Sequence, residues 1–308
     1  MGDHSLLKYN FFQPETAVRQ LKTPHPVFLS NLTVNPYVGC EYCCPYCHVV
    51  SDVDDNEIPC SRIGIKTNVL NHLKKKLDAI TGSPRAEKFS VMLGNETEPY
   101  QQAEREFNLT RQCIQLIMER KIPVQIFTKS NLILRDIDLL SDYSKQGFCA
   151  VNITVFTMDE HLKNIFEPRA PGIEVRMKLI SALRKRDVLC GVAFIPVMPY
   201  INDDRTTIEE FFRAIKRFGA EYVVPMAMCF CTDAVRRRFF AILEKYFNNL
   251  VHRYEELYRS ERLPAGNYAQ RVNGEIAEIA NKFNLPIGVP VPEFKPMPGV
   301  DIRVEPII

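Results

Sequence analysis

Cys40, Cys44 and Cys47 stand in the run Gly39-Cys40-Glu41-Tyr42-Cys43-Cys44-Pro45-Tyr46-Cys47, with three and then two residues between them. Three thiolates from one short loop can hold three irons of a [4Fe-4S] cube and leave the fourth iron without a protein ligand. An open iron binds a substrate or cofactor, so the spacing points to chemistry rather than electron storage alone. The loop directly follows a strand-like stretch over Leu32 to Tyr37.

Other sulfur chemistries fit parts of the same run. Cys40/Cys43 and Cys44/Cys47 form two abutting pairs with His48 as a spare zinc ligand, but adjacent residues point apart and zinc pairs are ordinarily a dozen or more residues from each other. Cys44-Pro45-Tyr46-Cys47 reads as an exchange-active dithiol at a helix start, which leaves Cys40 without a role. Ten cysteines in 308 residues are too sparse for a disulfide framework, and no export signal precedes them. A four-ligand electron carrier stays open on spacing alone, because Cys43 and Cys60 are at hand.

The spacing, with aromatic Tyr46 before the last cysteine, resembles the signature of the radical S-adenosylmethionine (SAM) superfamily. That resemblance implies a [4Fe-4S] cluster whose open iron is chelated by the methionine end of SAM, and reductive cleavage of SAM to a 5'-deoxyadenosyl radical. It also implies that Tyr46 lies against the adenine, an aromatic face on an apolar one.

Composition bounds the class. The chain is 46% hydrophobic and 25% charged, with a formal charge of +2, which is globular composition with no electrostatic argument for nucleic acid or acidic membranes. No apolar run is long enough to span a bilayer, and position 6 is Leu, so the amino terminus is not a myristoylation signal. The expected location is the cytoplasm, whose reducing conditions suit exposed thiols.

Short β-type runs alternate with amphipathic segments, the pattern of βα units around a parallel sheet. Strands are predicted at Leu32 to Tyr37, Lys88 to Leu93, Val124 to Thr128, Ala150 to Phe156, Leu189 to Ile195 and Tyr222 to Met228. The first helix carries Leu70, Leu73, Leu77 and Ile80 after Asn68 as N-cap. Further helices are expected over 104–120, 135–145, 174–185, 207–218, 234–259 and 268–283. The fold class is therefore α/β, and the resemblance specifies a partial (β/α)6 TIM-type barrel. It would occupy 31–232, after an amino-terminal extension (1–30) and before a helical segment (233–285) and an extended tail (286–308). Pro286, Pro290, Pro292, Pro296 and Pro298 bar that tail from a central strand or helix.

Parallel α/β barrels keep their chemistry at the carboxyl ends of the strands. Asn95 and Glu96, after the second strand, resemble in position the superfamily's stretch that binds the SAM amino group, the reading preferred to a polar turn capping the next helix. Lys129 after the third strand is placed to neutralise a carboxylate, and Ser130 to cap the following turn. Asn152 and Thr154 share one face of the fourth strand, where a bound ribose or carboxylate, or neighbouring strands, would satisfy them.

A finer resemblance rests on several motifs together. Asn35-Pro36-Tyr37, Ile65-Lys66, Thr97-Glu98-Pro99-Tyr100-Gln101, Thr128-Lys129-Ser130, Leu134-Arg135-Asp136, Phe166-Glu167-Pro168 and Pro196 with Pro199 are similar in order and spacing to the spore photoproduct lyase-like family. In that family a lysine at the position of Lys129 and a hydroxyl at that of Thr154 contact the SAM carboxylate. The lyase itself carries a hydrogen-donating cysteine in its second-strand motif, where this chain has Asn95, and His48 replaces a tyrosine. Those departures disfavour thymine-dimer repair. A small-molecule or peptide substrate is preferred to nucleic acid, with a flavodoxin or ferredoxin as electron donor.

Cys229 and Cys231, two apart after the sixth strand, share a face at the barrel mouth. They are candidates to return a hydrogen atom to a substrate radical or to bind an auxiliary cluster; buried small hydrophobes are the plain alternative. Cys113, Cys149 and Cys190 sit in apolar patterns and read as core. Arg236-Arg237-Arg238 reads as a solvated helix face or a phosphate grip, and Glu167 with Arg176 as a structural ion pair.

Overall fold

Val124-Gln125-Ile126-Phe127-Thr128 is buried at every position, as a strand covered on both faces of a parallel α/β architecture must be. The computed structural model describes residues 8–21, 28, 30–50, 60–82, 89–259 and 261–290. Its elements begin β1 (Lys8–Phe12), β2 (Val18–Gln20), β3 (Leu32–Val34), β4 (Tyr37–Val38), β5 (Arg62–Lys66), α1 (Val69–Thr81), β6 (Val91–Leu93), α2 (Gln102–Phe107) and α3 (Leu109–Glu119). They continue β7 (Val124–Thr128), α4 (Ile137–Ser144), β8 (Cys149–Thr154), α5 (Glu160–Phe166), α6 (Ile173–Arg184), β9 (Leu189–Val197) and α7 (Arg205–Arg217). The last are β10 (Val223–Ala227), α8 (Asp233–Tyr246), α9 (Val251–Leu257) and α10 (Gly266–Lys282).

The main sheet has seven strands in the order β10-β9-β8-β7-β6-β3-β2. Every neighbouring pair is parallel except β2 on β3. The six parallel strands are the six predicted, and the sheet's two ends do not pair, so this is a partial barrel. Ile287 bridges to Val223, with Pro286 and Gly288 hydrogen bonded to the same residue, so the start of the proline-rich segment lies along the β10 edge. Pro292, Pro296 and Pro298 fall outside the described residues.

Strand alternation divides the core. Val124, Ile126, Val151 and Ile153 face the helices, where α1 contributes Val69, Leu73, Leu77 and Ile80. Phe127, Ala150, Met92, Ala193 and Tyr222 turn the other way and fill the lower lumen with Phe28 and Val289. Cys113, Cys149 and Cys190 belong to the helix-facing layer, as their apolar surroundings predicted. Beyond 233, Val272 and Ile276 of α10 join that same layer, while Phe239 and Tyr254 pack with Phe156 and Phe166.

Several local expectations change. Val69, not Leu70, is the first fully buried position of α1, and Asn68 makes no cap hydrogen bond because its amide donates to Pro14 O at 2.9 Å. The helix expected over 104–120 breaks into α2 and α3 at Asn108, whose φ of +54° is left-handed, a conformation asparagine tolerates. A turn at Asn248–Leu250 likewise separates α8 from α9. The small sheet β1-β5-β4 and helix α5 carry too little periodicity to stand out in the sequence.

Gly94 ends β6 with φ +85°, and a Cβ there would meet Phe127 O at 2.3 Å. The substitution Gly94→Ala combines a disfavoured φ with a backbone clash, and is expected to cost about 1–3 kcal/mol in denaturant unfolding.

Candidate active site

The loop carrying Cys40, Cys44 and Cys47 is fixed at several points before any ligand enters. Gly39, at φ +80°, brings its backbone so close to β5 that a Cβ would lie 2.9 Å from Arg62 O. Gln101 donates to Gly39 O at 3.3 Å and accepts from Glu41 N at 3.4 Å, while Gln102 N donates to the Glu41 carboxylate at 2.6 Å. Cys47 N donates to Cys44 O at 2.9 Å, closing the turn between the last two cysteines. From the far side Arg238 of α8 donates to Cys47 O at 3.2 Å.

All three sulfurs are free and line one cleft that opens to solvent. Cys43 adopts a left-handed φ of +52° and is bonded to Cys60, with Cα atoms 5.5 Å apart. Both spare cysteines that left a four-ligand carrier open are thereby engaged with each other, and a disulfide exists where composition had argued against a framework of them. Burial pushes the Cys40 thiol up to about 12 and raises those of Cys44 and Cys47. Lys129 and, at Cys47, Arg238 oppose that rise only in part; a bound metal takes such sulfurs as thiolates and reverses the penalty. Among the described residues no three such side chains stand close enough to hold a single metal ion; three free thiols on one cleft wall are the donors that a larger cluster held at three corners would need.

Around the cleft stand the carboxyl ends of five parallel strands. Asn95, Glu96, Lys129, Thr154, Tyr46, Cys229 and Cys231 all line it. Asn35 organises the β6 loop: its carbonyl oxygen accepts from Glu96 N at 3.2 Å, and its amide donates to Asn95 Oδ1 at 2.9 Å. Glu98 is buried below, accepting from Thr128 and from the backbone N–H of Lys129 and Tyr100. Ser130 caps its turn as expected, accepting from Leu132 N at 3.2 Å.

Asn152 is the exception. It is fully buried and absent from the cleft wall; Tyr222 OH donates to its carbonyl oxygen at 2.9 Å, and its amide group faces Ile126 O at 3.5 Å. Two residues along a strand is about 6.7 Å, so Asn152 lies one layer beneath Thr154 in the plugged lumen. Its polar group is spent on neighbouring strands, leaving nothing for a cofactor.

Glu167 is more than the expected partner of Arg176. Fully buried, its carboxylate contacts Arg176 at 2.5 Å and Lys129 Nζ at 3.6 Å, and accepts from Tyr46 OH. Arg176 in turn donates to Thr154 O at 3.0 Å. Burial opposes charge on Glu167, but Arg176 and Lys129 hold its carboxyl below the usual range; Lys129 is correspondingly raised by Glu167 and the cysteines against its own desolvation. Phe166-Glu167-Pro168 flagged the residue in the sequence, yet Tyr46 lies 121 positions away, and only the fold joins them.

The arginine run also changes meaning. Arg236 lies over the rings of Phe230 and Phe240 and donates to Tyr258 O at 3.0 Å, and Arg238 reaches the cysteine loop, so only Arg237 is exposed. His48 lines the cleft with its pKa lowered by burial. Met226, Met228 and Ile195 supply an apolar wall that no motif had announced. Among the described residues no helix is long and apolar enough to cross a membrane.

Comparison with known proteins agrees with this geometry. An uncharacterized protein of Mycobacterium bovis is 28% identical over 258 residues, covering 82% of this chain and 74% of its own. One of Methanocaldococcus jannaschii is 26% identical over 186 residues, covering 58% and 64%. Spore photoproduct lyase complexed with dinucleoside spore photoproduct has the same fold, with a TM-score of 0.65 at 12% identity over 91% of this chain and 81% of that one. Streptococcus suis SuiB bound to S-adenosylmethionine matches at 0.56 and 14%, over 83% and 49%. The Radical SAM superfamily model matches residues 34–224, the span from β3 through the cysteine loop into β10, and the chain belongs to the radical SAM superfamily.

Proposed function

We propose that the protein is an enzyme of the spore photoproduct lyase-like kind that cleaves SAM reductively and abstracts hydrogen from an organic substrate in this cleft. The observation that carries the reading is the convergence of three free thiols, Cys40, Cys44 and Cys47, on the same cleft as Lys129 and Thr154. A [4Fe-4S] cluster on those thiols, with SAM bound, supplies a 5'-deoxyadenosyl radical.

The chain's own residues bind and orient. Glu167 brings one negative charge against the two positive charges of Lys129 and Arg176, so this group of three is net positive and Lys129, which lines the cleft, suits the SAM carboxylate. Lys129 retains N–H donors beyond its loose contact with Glu167. Asn95 and Glu96 offer a carbonyl oxygen and a carboxylate to an ammonium, and Tyr46 presents a ring fixed by its hydroxyl bond to Glu167. The apolar methionine wall keeps water from a reactive carbon centre.

Spore photoproduct lyase binds a dinucleoside photoproduct on the same fold, but Asn95 stands where the lyase's quenching thiol is expected. A small molecule or peptide substrate is favoured, with a flavodoxin or ferredoxin as electron source; SuiB, of related fold, binds its precursor peptide.

Anaerobic reconstitution with iron and sulfide, then SAM and dithionite, is expected to yield 5'-deoxyadenosine and a reduced-cluster EPR spectrum that SAM perturbs. A Cys40→Ala, Cys44→Ala or Cys47→Ala variant is expected to lose both, and a wild-type spectrum indifferent to SAM would refute the reading. Lys129→Met should weaken SAM binding by about 1.5–3 kcal/mol, roughly 10- to 100-fold in Kd, with cluster content unchanged. Glu167→Gln strands the buried Arg176 beside part-buried Lys129 and is expected to lose about 3–5 kcal/mol in denaturant unfolding, part of which Glu167→Gln/Arg176→Met should recover.

A further inference from the structure

Cys229 and Cys231 are the only free thiols on the cleft wall besides the three of the cysteine loop, among the described residues. Cys43 and Cys60 are bonded, and Cys113, Cys149 and Cys190 are buried in the helix-facing layer. Their Sγ atoms are 2.9 Å apart, against about 2.05 Å in a disulfide, so a shift of about 0.9 Å separates contact from a bond.

The backbone is built to keep them there. Met228 N donates to Val197 O at 2.8 Å on one side, and Thr232 caps α8 on the other by accepting from Val235 N at 3.3 Å. Between them Phe230 turns into the core, its ring centroid 4.5 Å from that of Tyr258, and its N–H donates to Arg262 O at 2.9 Å. Anchoring the middle residue of an extended triplet sends both neighbours to the opposite face, here the cleft. The contact between the two sulfurs lowers the Cys231 thiol and raises that of Cys229, the opposed shifts of two sulfurs that share one hydrogen.

We propose that Cys229 and Cys231 act as one redox unit, in which Cys229 gives its hydrogen atom to a carbon radical in the cleft and the Cys231 sulfur closes on the resulting thiyl. The proposal rests on the radical reading above. In the first step a C–H bond forms and the S–H bond breaks homolytically. Addition of the Cys231 thiolate gives a disulfide radical anion, which passes its extra electron to the oxidised form of the flavodoxin- or ferredoxin-class carrier. A dithiol reductant of the thioredoxin class then restores both thiols with two electrons and two protons. Each quenching event thus leaves a Cys229–Cys231 disulfide.

Trypsin releases both cysteines on one peptide, residues 218–236, with no other cysteine. Cluster-loaded protein poised anaerobically in glutathione buffers, acid-quenched and alkylated, should yield this peptide unalkylated and two hydrogens lighter over part of the range. The Cys231→Ser variant should give one alkylated thiol throughout. Two alkylated thiols in the wild type at every potential would overturn the proposal. In a second arm, SAM and dithionite in D2O without added substrate should give 5'-deoxyadenosine carrying one solvent deuterium, reduced several-fold in Cys229→Ala. Undiminished labelling in that variant would overturn hydrogen donation by Cys229. Failure to form any 5'-deoxyadenosine would sink the underlying radical reading, a result distinct from any outcome of the thiol mapping.

Discussion

One buried carboxylate sets the terms for the rest of the site. Glu167 has no access to solvent, and an isolated charge in such a place would cost several kcal/mol. Its partners come from three different elements: Tyr46 from the cysteine loop, Lys129 from the end of β7 and Arg176 from α6. Satisfying the charge therefore fixes the relative positions of the loop and two strand ends, since Arg176 also holds the Thr154 carbonyl. The interaction adds little net stability compared with an apolar core, but it specifies one arrangement of groups that no hydrophobic contact would enforce.

The same economy runs through the outer supports of the cleft. Gln101 and Gln102 at the start of α2 grip the cysteine loop from one side, and Arg238 of α8 from the other. Asn35, on the strand end just before that loop, orders the β6 loop by accepting from its backbone. Loops must place reactive atoms within a fraction of an ångström, and rigid elements with hydrogen-bonded struts are how a chain does so.

The parts legible in the sequence were those encoded locally. Short β-type runs marked all six parallel strands, and Val124–Thr128 coincides with its strand at both ends; the spacing of Cys40, Cys44 and Cys47 singled out the loop whose three free thiols line the cleft. Asn152 failed because alternation tells which face a residue is on, not how deep it lies along the strand. The break at Asn108 failed because helical periodicity continues across a single left-handed residue. Glu167 was visible as a motif residue and a charge needing a partner, but its link to Tyr46 depends on tertiary structure. The arginine run misled for a related reason: guanidinium groups can cover aromatic rings and cap carbonyls while appearing, as a string of letters, to be a solvated patch.

The Cys43–Cys60 bond has a consequence for the loop that carries Cys43. It joins positions seventeen apart in sequence, and a crosslink over a segment of that size removes chain entropy worth about 3 kcal/mol from the unfolded ensemble. The same short stretch of chain therefore holds sulfur in two states, Cys43 bonded to Cys60 and its neighbours Cys40, Cys44 and Cys47 free, and the bonded pair tethers the loop that presents the free ones.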